Sequence, residues 1–173
     1  KKNSRSQHRN LMKLIAGVDE VGRGSLIGPV YAAAVILNKS IKKKLLKDSK
    51  SLSKNKREFL AKYIKKNSVW AVGKASVKEI EKMNILQASL LAMKRSIKKL
   101  KKKPKLVLID GNKIPEIKNY KLKSIIKGDQ KIASISAASI IAKVSRDKMI
   151  TALGKKIKGY DWDKNYGYGT KKH

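Results

Sequence analysis

A short apolar run near the start of the sequence leads directly into two adjacent acids. Residues 14–28 read LIAGVDEVGRGSLIG, and the strand predicted for Leu14–Val18 is followed at once by Asp19 and Glu20. A carboxylate beside buried apolar residues costs several kcal/mol unless a cation or hydrogen bonds compensate its charge. Hard divalent cations select oxygen ligands, so a metal ion is the compensator that this pattern favours. The end of this strand is therefore expected to face a cleft.

Strand and helix patterns alternate along the rest of the chain. Apolar runs predict further strands over Val30–Leu37, Val69–Ala75, Leu106–Ile109 and Leu122–Ile126. Apolar periodicity and capping residues predict helices over 53–66, 85–100 and 132–153. This order of elements indicates a mixed α/β layer fold.

The length of 173 residues suits one domain. The polar, basic residues 1–12 are predicted to form an N-terminal arm, and residues 13–153 the catalytic domain. Residues 154–173 are predicted to form an aromatic and basic C-terminal segment.

Four acids lie at predicted strand ends or just past them: Asp19, Glu20, Asp110 and Asp129. Strands that start at the same sheet edge deliver such residues into one cleft. A carboxylate cluster without histidine or cysteine suits magnesium or manganese, and two such ions can promote phosphodiester cleavage. Taken singly, Asp129 could instead cap the helix that follows it, and Asp110-Gly111 could simply form a turn.

The composition is strongly basic. The sequence has 44 lysines and arginines against 12 acids, which gives a formal net charge of +32. This charge favours a polyanionic partner, and nucleic acid is the most plausible one. The alternative is that lysine spread along the whole chain reflects an A-rich coding bias and marks no single binding patch.

Rare and missing residue types exclude several kinds of chemistry. Cysteine is absent, which excludes disulfides, cysteine–metal sites and a thiol nucleophile. His8 and His173 lie near the two ends, which argues against a histidine triad or a zinc cage. No apolar run reaches the roughly 18 residues of a membrane span. We expect a cytoplasmic protein with no membrane partner.

Six sequence blocks follow one another from about Leu14 to His173. They are GVDEVGRGSLIGPVYAAAVIL, DSKSLSKNKRE, MNILQASLLAM, LIDGN, KGDQKIASISAASIIAKVSRD and NYGYGTKKH. In this order and spacing they resemble the type 2 ribonucleases H, specifically the bacterial ribonucleases HII. The resemblance implies a ribonuclease H-like fold: a mixed five-stranded sheet flanked by helices, with a C-terminal helical or loop extension.

The resemblance also implies an activity and a set of site residues. It implies an endonuclease that cuts the RNA strand of RNA–DNA hybrids and cuts 5′ to single ribonucleotides in duplex DNA. The products would carry 5′-phosphate and 3′-hydroxyl ends. By position in the matched blocks, the ligands of Mg²⁺ or Mn²⁺ would be Asp19, Glu20, Asp110 and Asp129. We expect the enzyme to act as a monomer.

The same resemblance implies several substrate contacts. The loop of Gly22, Arg23 and Gly24 would read the ribose 2′-hydroxyl through its backbone and hold the adjacent phosphate. Tyr168 would stack on the sugar that follows, which favours deoxyribose there. Other matched positions near the nucleic-acid backbone or the active site are Lys50, Asn84 and Lys143. The alternatives are a helix cap for Asn84 and a solvated helix lysine for Lys143.

The chain departs from the family pattern at two places beside the loop at 22–24. Val21 and Ser25 stand where the family usually has alanine and proline. Neither change removes a predicted metal ligand, but both could shift the loop. The family usually continues beyond the position of His173, so the resemblance implies that the chain is truncated there. Two other function classes stay open at this point: a non-catalytic basic nucleic-acid-binding protein, and another metal-dependent nuclease on the same fold.

Overall fold

A computed structural model describes residues 14–46 and 51–171 of the chain. Its sheet contains β1 (Ile15–Val21), β2 (Val30–Leu37), β3 (Ser68–Ala75), β4 (Leu106–Asp110) and β5 (Leu122–Ile125). Its α-helices are α1 (Lys54–Asn67), α2 (Val77–Met83), α3 (Ile85–Lys98), α4 (Gly128–Lys131), α5 (Ala133–Lys156) and α6 (Trp162–Asn165). A 3-10 turn covers Lys43–Leu46. The N-terminal arm predicted for residues 1–12 lies outside the described residues.

The five strands lie in the order β3-β2-β1-β4-β5. β2 pairs antiparallel with both β1 and β3, whereas β4 runs parallel to β1 and β5 runs parallel to β4. The prediction of a mixed five-stranded sheet is therefore confirmed. β1 is the central strand, and its carboxyl end lies at the same sheet edge as the carboxyl ends of β4 and β5.

Short polar motifs begin the helices on either side of β3. Ser53 caps α1 as predicted, since its hydroxyl accepts a hydrogen bond from the Lys56 N–H at 3.4 Å. α2 begins with a capping box in which Ser76 and Glu79 exchange side-chain and backbone hydrogen bonds. The Glu79 carboxylate also lies 2.6 Å from the Arg95 guanidinium, which joins α2 to α3.

The two faces of the sheet carry separate apolar cores, because side chains alternate along each strand. Ala16 and Val18 of β1 pack in the core that includes the buried residues of α3. Ala33 and Val35 of β2 pack in the opposite core with α1 and α5. The first half of α5 is small and apolar nearly all round, so it lies directly on β1.

The structure extends β1 beyond its predicted end. The strand does not stop at Val18 but continues through Val21, because Asp19 and Glu20 remain paired with Ala33 and Ala32 of β2. The two acids therefore lie within a paired strand, where the backbone fixes the direction of each side chain.

The helix predicted for residues 132–153 also has different bounds. α5 begins at Ala133 and continues through Gly154 to Lys156. Gly154 stays in the helix because α6 packs against it: a Cβ there would lie 2.7 Å from the Asp163 nitrogen. The predicted division between residues 13–153 and 154–173 thus falls inside one helix, and the division itself stays a prediction.

No helix in the described part of the chain combines the length and apolar character that a membrane crossing requires.

The contact of β1 with α5 gives a stability prediction. A Cβ at Gly17 would overlap the backbone of Ser134 and Ile135. We expect Gly17→Ala to lower the free energy of unfolding by about 2–3 kcal/mol, because α5 must move away from the sheet. Urea unfolding of both proteins measures this difference.

Gly24→Ala is the matched control, because a Cβ there meets no atom within 4 Å. Its free energy of unfolding should change by less than about 0.5 kcal/mol. Equal urea midpoints for Gly17→Ala and the wild type would contradict the close packing of α5.

Candidate active site

One pocket gathers the acids that the sequence singles out. It holds about 350 Å³, and its wall contains Asp19, Glu20, Asp110 and Asp129. β1 supplies the first two, β4 ends at the third, and α4 carries the fourth. The other lining residues are Val21, Arg57, Ser139, Ile140 and Lys143.

Neighbouring residues of a strand point to opposite faces, so Asp19 and Glu20 leave β1 on different sides. Asp19 faces α5 and is only 7% exposed; it accepts hydrogen bonds from the Glu20 N–H at 2.8 Å and from the Ser139 side chain. Glu20 also lines a second pocket of about 280 Å³ against Leu86 and Leu90 of α3. The acid pair therefore places negative charge on both sides of the end of β1.

Burial raises the pKa of Asp19 well above its ordinary value of 3.8. The charges of Glu20 and Asp110 raise this pKa further, whereas hydrogen bonds from Ser139 and from the Glu20 backbone lower it. A buried carboxylate beside two others is electrostatically unfavourable unless a cation neutralises it.

The short helix α4 orients Asp110. The Oδ1 atom of Asp110 accepts hydrogen bonds from the Gly128 N–H at 2.6 Å and from the Asp129 N–H at 3.3 Å. A Cβ at position 128 would lie 2.6 Å from the Ile135 Cδ1 atom, so a larger residue there would require the Ile135 side chain to move. The peptide that orients Asp110 thus also carries Asp129 into the pocket.

The sequence also allowed Asp110-Gly111 to be a simple turn and Asp129 to be a helix cap, and the structure treats these two alternatives differently. Gly111 forms the expected turn with φ +100°, and this turn leaves Asp110 in the pocket wall. The interpretation of Asp129 as a cap of the long helix is wrong. The N-cap residue of α5 is Ile132, and no side chain caps it.

The donor set fits a hard divalent cation, with one qualification about its geometry. Among the described residues, no group of three or more Asp, Glu or His side chains forms a ready-made metal cage. The four carboxylates line one pocket without converging on a single point. Mg²⁺ is commonly held by one or two carboxylates together with waters and substrate phosphates, so a pocket of this kind suits it.

The loop between β1 and β2 lies against the C-terminal segment. The Leu26 N–H donates a hydrogen bond to the Gly167 carbonyl at 2.8 Å. Burial raises the pKa of Tyr168, which a hydrogen bond from the Gly22 backbone and the charge of Arg146 partly lower. The two segments that the sequence predicts to contact substrate are therefore neighbours.

Comparison with known proteins identifies the family. A family model described as Ribonuclease HII matches residues 16–173. The chain belongs to the ribonuclease HII family. It is similar to the Ribonuclease HII of Pelagibacter ubique, with 77% identity over 162 residues that cover 94% of this chain and 87% of that protein.

Solved structures agree with this assignment. The ribonuclease H2 of Pyrococcus horikoshii is similar with a TM-score of 0.73 and 29% identity, over 91% of this chain and 81% of that one. Bst-RNase HIII in complex with Mn²⁺ has a TM-score of 0.71 and 21% identity, over 90% of this chain and 59% of that one, which shows the fold alone. This family member therefore has the ribonuclease H-like fold. It is a ribonuclease H-type endonuclease of a metal-dependent family that acts on RNA–DNA hybrids.

The other predicted site residues occupy different surroundings in this chain. Lys143 lines the acidic pocket, is partly exposed, and donates a hydrogen bond to the Asp147 carboxylate at 2.8 Å. Asn84 caps α3, since its side chain accepts a hydrogen bond from the Gln87 N–H at 3.0 Å, and it is not among the lining residues of the acidic pocket. Arg23 is about half exposed and lies 3.5 Å from Glu20. Lys50 lies outside the described residues.

Three residues of this site were not predicted from the sequence. Ser139 hydrogen-bonds Asp19, and Arg57 lines the pocket from α1. Arg146 is fully buried beside the Gly22–Pro29 loop. An arginine or a serine on a helix carries no sequence signal for these roles.

The raised pKa of Asp19 predicts the behaviour of an Asp19→Asn variant without metal. The folded state holds the Asp19 proton to higher pH than the unfolded chain, so its contribution to stability is complete below pH 3.8 and is lost as pH rises. Asparagine keeps an oxygen acceptor and never acquires the charge. We expect the variant to unfold at higher urea concentration than the wild type at neutral pH in EDTA.

This advantage of Asp19→Asn should shrink as the pH is lowered towards 3.8, and urea titrations in EDTA at several pH values would measure it. Saturating Mg²⁺ should stabilise the wild type more than the variant. An equal or lower midpoint for Asp19→Asn at neutral pH would show that the pocket tolerates the charge unaided.

Proposed function

We propose that the four carboxylates bind two Mg²⁺ or Mn²⁺ ions, and that this endonuclease also cuts 5′ to single ribonucleotides in duplex DNA. One observation carries the proposal: Asp19, Glu20, Asp110 and Asp129 share one pocket beside the loop at 22–24 and Tyr168. The basic composition supports tight contact with the substrate backbone.

The acids would serve as metal ligands, and the oriented Asp110 would need little rearrangement to do so. When bound, the two ions supply an activated water and stabilise the leaving oxygen, which gives 5′-phosphate and 3′-hydroxyl ends. The hydrogen bonds that the Gly128 and Asp129 N–H groups donate to Asp110 Oδ1 restrict the rotation of this carboxylate. Ser139 holds Asp19 in the same way.

Cationic side chains around the pocket would stabilise the negative charge of the scissile phosphate. Lys143 lies in the pocket wall, and its position is fixed by the ion pair with Asp147 at 2.8 Å. Arg57 lies in the same wall, and its guanidinium donates a hydrogen bond to the Leu52 carbonyl at 2.9 Å. Both cations are thus oriented before substrate arrives, which lowers the entropic cost of binding.

The junction between RNA and DNA would be read by two neighbouring groups. The backbone of Gly22, Arg23 and Gly24 would contact the 2′-hydroxyl, which distinguishes ribose from deoxyribose. The Tyr168 ring would stack on the next sugar, where a second 2′-hydroxyl would crowd it. The hydrogen bond from the Gly22 backbone to Tyr168 supports a fixed spacing between these two readers.

An Asp110→Asn substitution separates catalysis from binding. We expect cleavage of an RNA–DNA hybrid to fall by at least about 1,000-fold, because a metal-binding carboxylate is lost, while the hybrid binds within about threefold of wild type. Single-turnover cleavage and filter binding with labelled hybrid measure the two effects.

Glu81→Gln is the matched control, because it removes the same charge from an exposed position on α2. It should leave both cleavage and binding nearly unchanged. Loss of hybrid binding in Asp110→Asn, or cleavage that survives the substitution, would favour a different role for the acidic pocket.

A Tyr168→Ala substitution tests the reading of the junction. We expect cleavage at a single ribonucleotide in duplex DNA to fall about tenfold, because stacking on the sugar is lost. Tyr168→Phe keeps the ring but loses the hydrogen bond from the Gly22 backbone, so its rate should lie between those of Tyr168→Ala and the wild type. Initial rates with Mg²⁺ and with Mn²⁺ on this duplex measure both variants.

Tyr160→Ala controls for the loss of an aromatic residue, because Tyr160 is exposed and stacks only on Trp162 among the described ring pairs. A wild-type protein that cuts the continuous hybrid but never the single ribonucleotide would refute the junction-reading part of the proposal. It would leave the proposed metal site in place.

A further inference from the structure

Arg146 of α5 is fully buried and is surrounded by acceptors from two separate segments. Its Nε donates to the Pro29 carbonyl at 3.1 Å, and its Nη1 donates to the Tyr166 carbonyl at 3.0 Å. Its Nη2 donates at 2.7 Å to both the Ser25 Oγ and the Ile27 carbonyl. One guanidinium thus holds the Gly22–Pro29 loop and the C-terminal segment together.

Ser25 is the side chain that connects these two segments directly. Its Oγ accepts the hydrogen bond from Arg146 and lies 2.9 Å from both the Gly167 and the Ile27 carbonyl oxygens. The hydroxyl has one proton to donate to one of these two carbonyls. The Ile27 carbonyl already accepts from Arg146, and the Gly167 carbonyl already accepts from the Leu26 N–H. Ser25 therefore completes a network that spans both segments.

The two segments fit together too closely for larger residues. Gly167 has φ +80°, and a Cβ there would lie 2.5 Å from the Ile27 side chain and 3.0 Å from the Ser25 Oγ. Gly22 has φ +104°, and a Cβ there would lie 2.5 Å from the Arg146 Nε. A small shift of Ser25 would thus be transmitted to Gly167 and to the neighbouring Tyr168.

The Tyr168 ring depends on the same arginine. The Arg146 Cζ lies 5.5 Å from the centre of this ring, and the charge of Arg146 lowers the pKa of the Tyr168 phenol against the larger effect of burial. Both the loop at 22–24 and the aromatic ring are therefore positioned by contacts to Arg146.

We propose that the Ser25 hydroxyl, held between Arg146 and Gly167, is a specificity-determining positioning group that fixes the spacing between the loop at 22–24 and Tyr168. This inference rests on the proposed reading of the junction by those two groups. The family usually has proline at this position, and proline has no side-chain donor or acceptor. Proline would restrain the loop through its fixed φ. In this chain the Ser25 hydroxyl instead joins the loop to the C-terminal segment at Gly167.

The proposal requires that Ser25 affect one substrate more than the other. At a single ribonucleotide, the ribose and the deoxyribose that follows must reach the loop and the Tyr168 ring at the same time. In a continuous RNA strand the following sugar is also a ribose, so the stacked arrangement contributes less. Loss of the hydroxyl should therefore reduce junction cleavage selectively.

The experiment compares Ser25→Ala with the wild-type chain on two substrates, in Mg²⁺. One is duplex DNA with a single ribonucleotide, and the other is a continuous RNA–DNA hybrid. We expect kcat/KM to fall about fivefold on the first substrate, mainly through kcat, and less than about twofold on the second. Ser25→Thr restores the hydroxyl and should bring the ratio back to within about twofold of wild type.

Ser76→Ala controls for a loss of stability, because it removes the exposed capping box of α2. This variant should unfold more readily than wild type without any change in the ratio of the two rates. Equal losses on both substrates for Ser25→Ala, or an unchanged ratio of the two rates, would overturn the role of the hydroxyl.

The wild-type result separates this inference from the function on which it rests. If the wild type cuts at the single ribonucleotide and Ser25→Ala keeps the same ratio, the role of Ser25 fails and the junction-reading function stands. If the wild type never cuts at the single ribonucleotide, both fail together.

Discussion

The close packing of α5 on the central strand is the contact on which the site depends. Gly17 leaves room for the backbone at Ser134 and Ile135, so the helix axis lies nearer to β1 than ordinary side chains allow. Along the same helix, Ser139 reaches Asp19, Lys143 reaches the pocket, and Arg146 reaches the loop after β1. These three residues follow at intervals of about one helical turn, so the depth of this packing fixes all of them together.

This arrangement places mutually repelling carboxylates in the pocket where a metal ion is proposed to bind. Three carboxylates act on one another around Asp19, and the folded chain partly compensates them with backbone and hydroxyl hydrogen bonds. The remaining unfavourable electrostatic energy is what a divalent cation would remove, so affinity for metal and cost to stability have the same origin. The packed core on both faces of the sheet supplies the stability that this pocket lacks.

Several features could be predicted from the sequence because each has a local cause. The all-apolar run at Val30–Leu37 gives β2 with the predicted bounds, and Ser53 caps α1 as expected. The end of β1 was placed too early, because the pairing of Asp19 and Glu20 with β2 is a tertiary contact that overrides their low strand propensity. The alternative role of Asp129 as a cap of the long helix is excluded because α4 separates Asp129 from α5, whose N-cap residue is Ile132.

The sequence by itself determined the family, the order of strands and helices, and which acids were candidates for the metal site. These follow from residue types, spacing and apolar periodicity, which are properties of the chain read along its length. Only the tertiary structure decided that Asp19 and Glu20 lie on opposite sides of β1, that Arg57 and Ser139 line the same pocket, and that Ser25 meets Gly167. Ser25 and Gly167 lie more than a hundred positions apart in the sequence. Such contacts depend on the depth at which α5 packs on the sheet, and no local pattern encodes that distance.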